Sequence, residues 1–163
     1  MKIGRISAML LLLAMATCAL AQHENHDHAA MMARGEKAMG FSQTATTHHF
    51  RLLKDGGYVQ VQANSAEDVA DRDHIRVHLK EQTKRFSAGD FGLSEQTHAQ
   101  VLPGTPEMQK LKSAISYTYE EIERGGRLRI RSADPRAVAA IHDFLKFQIK
   151  DHKTGDDPAV KPD

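Results

Sequence analysis

Tryptophan is absent and cysteine occurs once, at Cys18. That position falls in a stretch expected to be cleaved off, so the mature chain would carry no thiol, which excludes disulfides, a thiolate nucleophile and sulfur-anchored metal sites built on cysteine. A charge bias is lacking too, with 22 Lys and Arg against 21 Asp and Glu. Neither nucleic acid nor an anionic membrane is therefore expected as a partner. No Ser/His/Asp order, Gly-rich phosphate loop, paired-carboxylate motif or haem-attachment sequence is present. An enzyme with a covalent nucleophile is not expected, and binding is favoured over turnover.

The first 21 residues read as a secretory signal peptide. Lys2 and Arg5 precede an apolar run over Ala8–Ala16, and Ala19-Leu20-Ala21 forms an A-x-A-like cleavage site. The apolar run is too short to span a bilayer comfortably. Met15-Ala16-Thr17 before Cys18 lacks the upstream Leu usual in lipoproteins. The expectation is a secreted, periplasmic protein with no membrane attachment after cleavage.

Residues 22–45 form a His/Met-rich segment expected to be mobile. It opens with QHENHDHAA, where His23, His26 and His28 could collect divalent metal weakly. Met31, Met32 and Met39 follow, on a short helix that docks through Met39 and Phe41.

The rest of the chain repeats itself. Gly56–Asp90 and Gly125–Asp156 each contain a Gly-Gly pair, an alternating strand, a capped amphipathic helix and a closing Gly-Asp. The pattern predicts an α+β fold over residues 46–156: a tandem ββα duplication forming a four-stranded antiparallel sheet covered on one face by two helices. A polar tail, 157–163, follows. Strands are expected over Thr46–Leu53 and Tyr58–Ala63, and again over Ser116–Ile122 and Arg127–Arg131, with each Gly-Gly pair in the hairpin turn. Alternation puts His48, Phe50, Leu52, Val59, Val61, Tyr117, Tyr119, Leu128 and Ile130 inward. His49, Arg51, Arg127, Arg129 and Arg131 face water.

The first helix should start near Ser65–Asp68, end at Gly89, and bury Val69, Ile75, Leu79 and Phe86. Asp134-Pro135 starts the last, whose stripe is Val138, Ile141, Leu145 and Ile149. Between them Asp90–Pro103 reads as an aperiodic loop, and Thr105-Pro106 caps a short helix bearing Met108.

The functional signal lies in the ten histidines. His48 stands on the core face of a strand, and a buried imidazole needs partners for both nitrogens. His98 from the loop and His142 from the last helix are expected to converge on it, with His78, His49, His152 and Met108 as further candidates. Imidazoles with a thioether suit copper; imidazoles alone also suit zinc or iron. The competing readings are hydrogen-bonded core histidines, an anionic ligand held on the arginine face, and a metal-dependent enzyme with an open metal position.

TTHHF (46–50), THAQVLPGTPEM (97–108) and AIHDFLKFQIKDHKTGD (140–156) resemble the motifs of a family of small secreted bacterial proteins. The resemblance spans about residues 39–156, with Leu102-Pro103 where the family pattern has Pro-Pro. It implies the same domain boundaries and secretion, and no particular chemistry. The carbamoyltransferase label sometimes attached to such proteins does not suit this chain, which is too short for that two-domain enzyme and lacks its Ser-Thr-Arg-Thr phosphate-binding run.

Overall fold

The structure, a computed structural model, describes residues 28–162. The signal peptide and His23 and His26 lie outside them. Helix α1 covers residues 28–39 and buries Met31, and Phe41 just beyond it is 2% exposed. His28, assigned above to a mobile tail, is thus part of a packed helix.

The first hairpin is β1 (Thr46–Leu53) and β2 (Gly56–Ala63), the second β3 (Ile115–Ile122) and β4 (Gly125–Ser132). They join through β2 and β4 into one antiparallel sheet of order β1-β2-β4-β3. The expected Gly-Gly turns are corrected. The turns are Lys54-Asp55 and Glu123-Arg124, and each glycine pair opens the following strand. The reason is space. A Cβ on Gly57 would stand 2.2 Å from the Arg51 carbonyl oxygen and 2.3 Å from Leu145 Cδ1, and one on Gly126 would stand 2.7 Å from the Tyr119 ring. Leu53 consequently pairs with Gly56 rather than Tyr58. The slip is two residues, an even number, so every side chain keeps the face that alternation gave it. Phe50, Leu52, Val61, Leu128 and Ile130 are buried as expected.

Helix α2 (Val69–Ala88) packs on β3 and β4, and α5 (Pro135–Asp151) packs on β1 and β2. Asp68 caps α2, its carboxylate accepting from the Asp71 amide, while Ser65 bonds Glu67 instead. Gly89 ends the helix in the left-handed region, φ 79°. Val69 is 48% exposed, and the buried stripe is Ile75, Leu79, Gln82 and Phe86. On α5, Ala137, Ala140, Ile141, Phe144, Leu145, Gln148 and Ile149 are buried. Asp134 accepts from the Arg136 amide at 2.8 Å ahead of Pro135. Asp134→Ala should cost about 1 kcal/mol, measured as a shift of the urea midpoint at unchanged slope.

The expected loop Asp90–Pro103 contains a helix, α3 (Gly92–His98), which brings His98 to the sheet. Helix α4 (Thr105–Lys110) is preceded by Gly104 at φ 81°. Its Thr105 hydroxyl is buried, donating to the Leu102 carbonyl rather than capping the helix. Among the described residues no helix is long and apolar enough to cross a membrane.

Candidate metal centre and cavity

Three histidine rings meet where the start of β1, the end of α3 and the residue after α5 come together. The His48 and His152 centroids are 5.0 Å apart with planes 21° from parallel, and those of His98 and His152 are 5.2 Å apart and nearly perpendicular. His98 is held from behind: its Nδ1–H donates to Asp151 Oδ2 at 2.5 Å, which leaves Nε2 free. His28 donates through Nδ1 to the Asp151 backbone oxygen at 3.1 Å, so α1 adds a fourth imidazole beside the others. Among the described residues neither His48 nor His152 has a side-chain hydrogen bond; their ring neighbours are Phe41, Phe50 and other histidines.

Burial pushes the His48 imidazole down to about 4, helped by His78, His49 and His98. His152 is held well below its usual value by burial and then by His48, His98 and His28. His78, edge-on to Phe41, is lowered to about 4 by burial and then by Arg85. All three are neutral at pH 7, the form in which an imidazole binds metal. They also link stability to pH. Each native pKa lies below the unfolded value of about 6.5, so on acidification the unfolded chain takes up protons the native one refuses. Stability is full above about pH 7 and is lost as pH falls from about 6.5 toward 4. Metal-free protein should lose about 5 °C or more of Tm between pH 7 and 5, and His78→Leu should flatten that slope.

The other expected ligands lie elsewhere. His142 donates from Nε2 to the Leu53 carbonyl at 2.9 Å, at the far end of β1 from His48. It is a hydrogen-bonded structural residue. His49 faces the opposite side of the sheet, bonded to Asp156 Oδ1 at 3.1 Å. Asp156 Oδ2 also accepts from the Phe50 amide, which clamps the TGD run to β1. Met108 is fully buried in the core. Of the three rings expected to converge, the structure brings His48 and His98 together with His152 and leaves His142 apart, with His28 and His78 at the borders of the cluster.

On the outer sheet face Arg51 is exposed, while the other three arginines have partners. Arg129 and Arg131 share Asp55, and Arg129 is only 8% exposed. Arg127 bonds Gln60 and Glu120 and lies over the Tyr58 ring.

Behind His48 and His98 a cavity of about 70 Å³ runs between the sheet and helices α2, α3 and α5. Its lining combines hydrocarbon, including Met39, Phe50 and Leu93, with His78, Gln82, Ser94, Thr97 and Gln148 besides the two histidines. The glutamines had a legible signal, because they interrupt the apolar stripes 75-79-82-86 and 141-145-148-152. The parts played by Asp151 and His28 had none, since both depend on how distant segments meet. Among the described residues, no group of three His, Cys, Asp or Glu side chains stands in a ready-made coordination geometry. Searches among protein families, curated proteins and solved structures found no match to this chain.

Proposed function

We propose that this is an exported transition-metal-binding protein of metal handling or tolerance, most suited to copper, with His48, His98 and His152 as its ligands. The observation that carries the reading is the His98–Asp151 pair facing two hydrogen-bond-free imidazoles. A carboxylate on one ring nitrogen fixes the tautomer and aims the other nitrogen at an ion. Ions held about 2.0–2.1 Å from imidazole nitrogens place neighbouring ring centroids about 5 Å apart, the separation found here. Turning the near-parallel His48 and His152 rings toward a common point completes the set, with His28 available as a fourth ligand. All-imidazole ligation also accommodates zinc. Dialysis of residues 22–163 against copper and zinc, followed by elemental analysis, should leave about one ion per chain; a metal-free product sinks the reading.

The two halves are read as a fused duplication. The offset that carries Gly56-Gly57 onto Gly125-Gly126 converts the β2–β4 pair Gly57↔Ile130 into Val61↔Gly126, which is also a pair. The helix contacts are reciprocal as well: Leu145 of α5 reaches Gly57 and Leu79 of α2 reaches Gly126. Each helix covers the other half's hairpin, an exchange that supports descent from a two-fold dimer of a single ββα unit.

A further inference from the structure

We propose that the cavity beneath the histidines is a binding site for a small uncharged molecule with an apolar body and one hydrogen-bonding group. Two buried amides point to it. Gln82 is 6% and Gln148 4% exposed, both line the cavity, and among the described residues neither side chain has a hydrogen bond. Gln82 Oε1 is fully enclosed without a partner. A buried amide oxygen left unpaired costs about 1–3 kcal/mol, a cost that a Leu at position 82 would avoid. The amides are therefore suited to something that enters the cavity. Much of the surrounding wall, with Val61, Leu79, Phe86, Leu128 and Phe144, is hydrocarbon, and its other polar members are neutral. A charged ligand would find no counter-ion there and would lose its hydration.

Size narrows the class. One water needs about 10–15 Å³ of such volume, so 70 Å³ takes a molecule of about five to seven non-hydrogen atoms. Leu93 and Ser94 are half-exposed members of its lining, whereas His98 is buried. This proposal does not rest on the metal reading, and its test is made in chelator-treated protein.

Phenol and toluene are matched probes, alike in shape and differing in one hydroxyl. Titration followed by amide chemical shifts should show saturable one-to-one binding of phenol, about tenfold tighter than toluene. The shifted signals should be those of α2, α3 and α5. Gln82→Leu or Gln148→Leu should erase the preference for phenol while leaving the fold at least as stable. Leu93→Phe, at the half-exposed rim, should abolish binding of both probes without disturbing the core. The proposal is overturned if neither probe saturates, which would mean a water-filled cavity only. It is equally overturned if both glutamine variants keep the phenol preference, or if Leu93→Phe binds phenol as before.

Discussion

Asp151→Asn should weaken metal retention by about 10–100-fold with little change in circular dichroism. Asp151 would not touch the ion; it acts through the proton it accepts from His98 Nδ1. An amide there can present its NH2 and favour the other tautomer, turning a protonated nitrogen toward the ion. His152→Ala should go further and remove measurable retention, since it deletes the ring that stands about 5 Å from both His48 and His98. His142→Ala should leave retention unchanged, because that ring is committed to the Leu53 carbonyl. Competition with a chromogenic chelator reads all three variants. Loss in His142→Ala with retention in His152→Ala would move the ion away from this cluster.

The largest effect on stability is expected from Gly57→Val. The new Cβ would lie within 2.3 Å of the Arg51 carbonyl oxygen on β1 and of Leu145 Cδ1 on α5 at once. Neither can give way cheaply, because one is ladder backbone and the other is fully buried. Overpacking of a side chain alone costs about 1–3 kcal/mol, and displaced strand pairing adds to it. The variant should lose about 3 kcal/mol or more, seen as a Tm drop of about 10 °C or as failure to accumulate folded protein. Gly126→Val meets Leu79 Cδ1 at 3.1 Å and the Tyr119 ring at 2.7 Å. These are side chains on β3 and α2, so the loss should be smaller. Equal stability of Gly57→Val and wild type would show that close approach is not what requires glycine at this position.

That contrast also shows where the sequence was legible. Period-two alternation settled the faces of all four strands, because the face survives an even slip in register. It could not tell a glycine needed for a turn from one needed for close approach, since both read as Gly-Gly after a polar pair. Helix α5 was announced by Asp134-Pro135 and an apolar stripe. Helix α3 was missed because Gly92–His98 is short and holds itself by tertiary contacts: Thr97 and His98 are its buried residues. For the site, inward-facing His48 followed from alternation and His98 from its place between the two halves. His142 was expected to converge on them and does not, because of helix phase. His142 follows Ile141 on the flank that reaches the turn end of β1, whereas His152 continues the line of Leu145 and Gln148 toward the other end, where His48 begins.

The histidine cluster is assembled from opposite ends of the described residues. His28 meets Asp151 across 123 positions of sequence, and His152 adjoins the same contact. With His28 as the fourth ligand, an ion seated among these rings would act as a staple between α1 and the residue after α5, closing a loop that encloses nearly all the described residues. The entropy of the unfolded ensemble would shrink accordingly. Loading would then register far from the rings, as slower unfolding and delayed proteolytic trimming at both ends together.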